Sequence, residues 1–321
     1  MDFLYIAVGL VLLFFGGEGL LKGSVSLARR FGLSNFLIGA VVVGFGTSMP
    51  ELSVSLKAAF DNASGIVVGN VVGSNIANIL LILGICAFIC PILVTDRSVF
   101  RDVFVMIFGS VLLCAFALTG VINLAFGAVF FAGLIVYIIY SYKQDRQKSA
   151  AQQAEIIKHV EEDTEGAIAL PLWQALLYVV IGLALLAGGA TLLVEGASAI
   201  ARGFGISETV IGLSLVAVGT SLPELATGVV AAWRKHTDII LGNIIGSNIF
   251  NIMAILGITA IISPVEVPEQ IVNVDMWVML AVSVLLGILL RTSHRLSRLE
   301  GVAMFALYGG YMGWLFLNNA A

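Results

Sequence analysis

Ten apolar runs, each long enough to cross a bilayer, constrain this chain more than any other feature. A helix crossing about 30 Å of hydrocarbon needs about 20 residues. Runs of that order lie at roughly 3–21, 36–60, 66–89, 103–120, 121–140, 172–194, 209–232, 239–262, 274–290 and 301–317. The ninth is the weakest, with Asp275 at its start, and only a Thr119-Gly120 turn signal separates the fourth from the fifth. Charged residues make up 11% of the chain, against roughly 25% in a soluble domain. A soluble enzyme, a disordered chain, a nucleic-acid binder and a disulfide-stapled secreted domain are thereby excluded. The net charge of −4 points to no partner, and neither nucleic acid nor a protein partner is expected. Cys86, Cys90 and Cys114 lie within apolar runs, where a thiol packs as a small hydrophobe. The first run follows Asp2, with no basic segment before it and no small-residue cleavage site after it, so it reads as a retained first span.

Alternating the loops between the two sides tests this count, because Lys and Arg accumulate on the cytoplasmic side. One side receives Lys22, Arg29, Arg30, Arg97, Arg101, Lys143, Arg146, Lys148, Lys158, Arg234, Lys235, Arg291, Arg295 and Arg298, and the other only Lys57 and Arg202. The bias places both termini outside and the 141–171 segment in the cytoplasm, in a cell-membrane protein. That segment carries the acidic run Glu161, Glu162, Asp163 and Glu165. It lacks the spacing of an EF-hand loop and is too short for a domain, so it reads as a solvated connector.

A repeat at an offset of 173 residues is the next constraint. Gly46-Thr47-Ser48-Met49-Pro50-Glu51 returns as Gly219-Thr220-Ser221-Leu222-Pro223-Glu224. Gly69-Asn70 with Gly73-Ser74-Asn75-Ile76 and Asn78 returns as Gly242-Asn243 with Gly246-Ser247-Asn248-Ile249 and Asn251. Between 28–51 and 201–224, 13 of 24 positions are identical without a gap. Five spans per copy is an odd number, so the second copy enters the membrane in the opposite direction. The fold expected is an all-α integral membrane protein with ten transmembrane helices in two inverted five-helix repeats, 1–140 and 172–321, joined by 141–171. This is the inverted-repeat plan of secondary transporters, with substrate bound at the repeat interface near the midplane, where both motifs fall.

Glu51 and Glu224 then sit at mid-membrane, where a carboxylate costs about 2.5–3.5 kcal/mol on insertion scales. No Lys, Arg or His lies in the interior of any span: Lys57 is near a helix end, and His159, His236 and His294 are in loops. The missing counter-charge is a bound cation or a proton. Pro50 and Pro223 remove a helical hydrogen bond. They release the carbonyls of Gly46 and Gly219 and disturb those of Gly44, Thr47, Ala217 and Thr220. Free carbonyls at that depth must line a cavity or meet a ligand. Asn70, Ser74 and Asn78, and Asn243, Ser247 and Asn251, are four apart and share one helix face. Ser74, Asn78, Ser247 and Asn251 are assigned to the ion site, whereas Asn70, Asn75, Asn243 and Asn248 read as interhelical hydrogen-bonding groups. The resulting ligand set is all oxygen, which suits Ca2+ or Na+ rather than zinc or copper. Glu18 and Lys22, four apart in the first span, are placed to pair with each other, and Glu195 reads as a structural residue near the end of the sixth.

In these motifs the chain resembles the Na+/Ca2+ exchanger family of the cation/Ca2+ antiporter superfamily, most closely its prokaryotic members, over nearly its whole length. The resemblance implies a Na+/Ca2+ antiporter working by alternating access, with no cofactor and no enzymatic chemistry. By that resemblance Glu51 and Glu224 are central ligands shared by Ca2+ and Na+, joined by the carbonyls of Thr47 and Thr220. Ser74, Ser247 and the carbonyls near Gly44 and Ala217 complete flanking Na+ sites, Asn78 and Asn251 take the remaining central position, and the first and sixth helices slide across the rest. Some relatives carry Asp where this chain has Asn251, and among eukaryotic relatives that Asp accompanies K+ cotransport, so K+ dependence is not expected here. The animal exchangers' large cytoplasmic domain is absent, so control by cytosolic Ca2+ is not expected either. Three other readings of the motifs remain: an H+-coupled cation exchanger, a channel, and an intramembrane hydrolase. The last lacks any His or Lys to activate Ser48 or Ser221.

Overall fold

The computed structural model describes residues 2–147, 170–204 and 217–319. Helix α1 is Asp2–Phe31. Helices α2 (Asn35–Thr47) and α3 (Met49–Phe60) form a pair bent by 44°, and α4 (Ser64–Ile89), α5 (Ser98–Ala117) and α6 (Leu124–Arg146) complete the first half. The second half comprises α7 (Leu172–Gly203), the short α8 (Ala217–Thr220), α9 (Leu222–Trp233), α10 (Thr237–Ile262), α11 (Ile271–Ser293) and α12 (Arg298–Asn319). Among the described residues seven helices are long and apolar enough to cross a membrane, and the bent α2–α3 pair makes an eighth. The expected seventh span, 209–232, begins outside the described residues. The expected tenth, 301–317, is helical throughout α12, but Tyr308, Gly309, Gly310, Tyr311, Gly313 and Trp314 dilute its apolar character. Most of the expected linker, including Lys148, Lys158 and the acidic run from Glu161, also lies outside the described residues.

The fourth and fifth spans are separate helices. Leu118 to Asn123 break the chain, with Gly120 at φ 82°, a left-handed conformation that glycine enters without steric cost. Two short antiparallel ladders join the halves: β1 (Ile92–Leu93) pairs with β4 (Arg295–Leu296), and β2 (Val121–Ile122) with β3 (Val265–Glu266). The strand following α4 therefore pairs with the second half, and the strand following α10 with the first. Matched turns end α3 and α9. Asn62 and Lys235 adopt φ 55° and 60°, while Ala63 N–H reaches Ala58 O and His236 N–H reaches Ala231 O, at 2.8 and 2.9 Å.

The core is centred on α10, of whose apolar window 89% is buried, and on α4, with 72%; α6 and α7 each bury only 28%. Peripheral helices turn Phe104, Phe108, Trp173 and Val180 outward, as a lipid-facing surface requires. Helices α1 and α7 pack antiparallel along matched glycines, Gly9, Gly16 and Gly23 against the stretch holding Gly182, Gly189 and Gly196. A methyl group built on Gly182 would lie 2.6 Å from the Leu20 nitrogen, and one on Gly9 2.8 Å from the Gly189 oxygen. Small residues let membrane helices approach backbone to backbone, and here nothing larger fits. The same device seats α2 on α10, where a methyl on Gly246 would meet Ala40 O at 2.3 Å.

Candidate ion-binding site

Proline creates the local geometry of the site. Pro50 and Pro223 stand in the first turns of α3 and α9, and the residue before each new helix is folded alike, Ser48 at φ −84°, ψ 9° and Ser221 at φ −87°, ψ 6°. The breaks leave Glu51 and Glu224 in the first turn of a helix, where unsatisfied N–H groups and the macrodipole favour a negative charge. Both side chains are 1% exposed.

Each carboxylate is held by the opposite half. Ser48 Oγ donates to Glu224 Oε1 at 2.7 Å, and Ser221 Oγ donates to Glu51 Oε1 at 3.2 Å. The Thr47 and Ser247 hydroxyls also interact with Glu224, and that of Thr220 with Glu51. The second oxygens, Glu51 Oε2 and Glu224 Oε2, are buried without a hydrogen-bond partner. Among the described residues neither carboxylate has an ion-pair partner, and no group of three His, Cys, Asp or Glu residues is assembled. The arrangement is two carboxylates among neutral oxygens, with lone pairs unspent.

The neutral groups come from α4 and α10, each of which loosens into a π-helical turn at the relevant residue, Asn78–Ile82 and Asn251–Leu256. Such turns frequently mark functional positions in helices. Helix α3, carrying Glu51, packs on the turn that begins at Asn251, and α9, carrying Glu224, on the turn that begins at Asn78. Asn78 and Asn251 are each 1% exposed, and the Oδ1 of each is buried with no partner. Ser74 is buried on α4. Ser247 Oγ donates to Gly44 O at 3.0 Å, and Thr47 Oγ1 reaches both Gly44 O and Asn243 Oδ1 at 3.3 Å. Ala217 opens α8, the first described turn after the gap. Asn70 Nδ2 donates to the Glu51 carbonyl at 3.1 Å and to Ser55 Oγ at 2.8 Å, fixing α3 against α4.

Two expectations need correction. Pro50 does not strip the Gly44 carbonyl of good geometry: it accepts the Ser48 N–H at 3.2 Å as well as the two hydroxyls. Proline removes only its own N–H, and the 44° bend lets the preceding turn close. Glu18 pairs not with Lys22 but with Arg234 at the end of α9, at 2.8 Å. The guanidinium donates from two nitrogens, and Lys22 Nζ lies 4.7 Å from the centre of the Tyr178 ring instead. Glu195 is exposed.

Sequence reasoning did not assign Ser48 and Ser221 to the carboxylates, did not notice Asp102, Met106 or Met279 of α5 and α11, and took Asp275 only as the polar start of the ninth span. Asn248 Nδ2 donates to Met106 Sδ and Asn75 Nδ2 to Met279 Sδ, while Tyr137 OH donates to the buried Asp102 and Tyr311 OH to Asp275. The signal was available, because Met106 and Met279, like Asp102 and Asp275, are separated by the same 173 residues as the motifs.

A family model described as "Sodium/calcium exchanger protein" matches residues 1–143 and 174–317. CaxA of Alkalimonas amylolytica is 37% identical over 98% of both chains. The sodium/calcium exchanger MaX1 of Methanosarcina acetivorans is 34% identical over 98% of this chain and 99% of its own. The solved structure of the sodium-calcium exchanger NCX_Mj, soaked with 10 mM Na+ and 10 mM Sr2+, superposes with a TM-score of 0.82 at 34% identity, over 97% of each chain.

Proposed function

Because the chain belongs to the sodium/calcium exchanger family, we propose that it is a Na+/Ca2+ antiporter whose two inverted five-helix repeats, ten spans in all, bind their ions at the midplane and work by alternating access. It is a multi-pass membrane protein of a transporter family, not of an enzyme class. The observation that carries the reading is the reciprocal hold on the two carboxylates, Ser48 on Glu224 and Ser221 on Glu51. It makes one buried oxygen cluster from both halves, with two negative charges and no basic partner among the described residues. Two carboxylates balance one Ca2+. The same oxygens suit Na+, so the two ions compete for shared ligands.

The ligand set is Glu51 and Glu224 with Asn78 and Asn251 Oδ1, the Ser74 and Ser247 hydroxyls, and backbone carbonyls at Gly44, Thr47, Ala217 and Thr220. A hydroxyl that donates to a carbonyl, as Ser247 does to Gly44, keeps lone pairs for a cation. The charge bias of the loops supports termini outside and 141–171 in the cytoplasm.

The test is 45Ca2+ uptake into vesicles reconstituted with purified protein, driven by an outward Na+ gradient with pH clamped and K+ as control cation. Uptake is expected to require internal Na+ and to be abolished in Glu51→Gln and Glu224→Gln. Uptake that followed a pH gradient without Na+ would replace the Na+ reading by H+ coupling, and normal Na+-driven uptake in a correctly inserted Glu51→Gln protein would sink the site.

A further inference from the structure

Two carboxamides outside that ligand set decide which way the ligand carboxamides face. Asn248 Nδ2 donates to Met106 Sδ at 3.5 Å, so its Oδ1 is turned to Asn78, whose Nδ2 it accepts at 3.2 Å. Asn75 Nδ2 donates to the Asn248 carbonyl at 3.5 Å and to Met279 Sδ at 3.7 Å, so its Oδ1 is turned to Asn251, whose Nδ2 it accepts at 3.1 Å. Thioether sulfur and a backbone carbonyl accept hydrogen bonds but never donate them. The far end of each chain therefore admits only the NH2 side of Asn75 or Asn248, and that polarity passes on to Asn251 and Asn78. The NH2 group of each ligand carboxamide is thus turned to its partner, and the Oδ1 atoms are left buried and unpartnered.

The orientation matters because a carboxamide has two faces of opposite use. A cation needs the oxygen lone pairs, and a side chain flipped by half a turn offers it an NH2 instead. We propose that Asn75 and Asn248 are positioning residues of the ion site, locking the carboxamides of Asn251 and Asn78 with oxygen available to the cation, and that Met106 and Met279 set the polarity of the lock. Each lock crosses between the halves: Asn75 of the first sets Asn251 of the second, and Asn248 of the second sets Asn78 of the first. The inference rests on the exchanger reading and on Asn78 and Asn251 being ligands.

A carboxylate has two equivalent oxygens and needs no such lock, which gives a test that a packing role fails. Asn75→Ala is made in the parent and in an Asn251→Asp background, and half-saturating Ca2+ is measured for Na+-driven uptake, with 45Ca2+ binding to the detergent-solubilised protein alongside. In the parent, loss of the acceptor for Asn251 Nδ2 should raise half-saturation by at least about fivefold, as expected when a buried donor is left unpaired. In the Asn251→Asp background the same substitution should change it by less than about twofold, because the pairing it removes is no longer required. Met106→Leu, which removes the thioether acceptor without opening a cavity, repeats the test on the other chain. It should weaken Ca2+ binding in the parent and not in an Asn78→Asp background. Equal losses in both backgrounds, or no loss in the parent, would overturn the proposal while the exchanger reading stands. A parent protein with neither Na+-driven uptake nor Ca2+ binding would overturn both.

Discussion

Ser48 holds Glu224 at 2.7 Å and Ser221 holds Glu51 at 3.2 Å, so the two halves of the site are not equally tight. Leaving a buried acceptor without its partner costs about 1–3 kcal/mol, and the shorter bond is the stronger. Ser48→Ala is therefore expected to destabilise the ion-free protein by an amount in that range, and Ser221→Ala by less. Thermal unfolding in detergent with a chelator reads the difference. Saturating Ca2+ should narrow it, because a bound cation takes over the task of stabilising the carboxylates. A larger loss in Ser221→Ala would contradict the ranking. The carboxylates and amides of this cluster were legible from residue type, depth and repetition. The two serines that hold the carboxylates across the halves, Ser48 and Ser221, were not. Ser48 and Glu224 are 176 positions apart, and no local spacing says that a serine of one half faces the glutamate of the other. The i,i+4 rule misled at Glu18 for the same reason, since Arg234 is 216 residues away.

At the scale of elements, the α1–α7 contact is where sequence and packing are most tightly bound together. Gly9, Gly16 and Gly23 recur seven residues apart, and Gly182, Gly189 and Gly196 repeat them at the offset of the motifs. An added methyl on Gly182 has Leu20 backbone atoms at 2.6 and 3.0 Å and the Gly16 oxygen at 2.9 Å, none of which can swing away. Gly182→Ala is expected to destabilise the protein by about 1–3 kcal/mol, the usual cost of overpacking. Gly188 lies on the same helix with nothing within 4 Å of its would-be methyl. Gly188→Ala should therefore be neutral or stabilising, by up to about 1 kcal/mol of helix propensity. Thermal melts of the two variants in one detergent give the comparison, and equal shifts would mean the glycines are not there for close approach. Eight of the ten expected spans, counting the bent pair as one, were readable because an apolar run reports directly on hydrocarbon thickness. Their ends were not. Helix α1 continues to Phe31 and α7 to Gly203, beyond the runs at 3–21 and 172–194, because a helix does not stop where the hydrocarbon does. The π-turns at Asn78 and Asn251 left no mark in hydropathy at all.

For the whole molecule, the glycine contact is the closest packing that α1 and α7 make with each other, backbone against backbone, while α7 touches the core through side chains, Leu183 over Gly46 and Val194 over Gly219. The all-helical membrane architecture was legible from the apolar runs. The backbone-to-backbone packing of α1 on α7 was not, since hydropathy is indifferent to how closely two backbones approach. If alternating access is a slide of this pair across the rest, a covalent tie between α1 and α9 should stop it. Gly17 and Val230 provide the position: a methyl built on Gly17 would lie 3.5 Å from Val230 Cβ, at the lower end of the roughly 3.5–4.5 Å that a disulfide spans. In a background with Cys86, Cys90 and Cys114 replaced by Ala, Gly17→Cys with Val230→Cys is expected to exchange Na+ for Ca2+ when reduced. Once oxidised it should lose exchange but keep 45Ca2+ binding, because the tie leaves Glu51 and Glu224 untouched. Reductant should restore the flux. Undiminished exchange in fully cross-linked protein would show that α1 does not move against α9, and the slide would have to be replaced by a motion that leaves these two helices fixed.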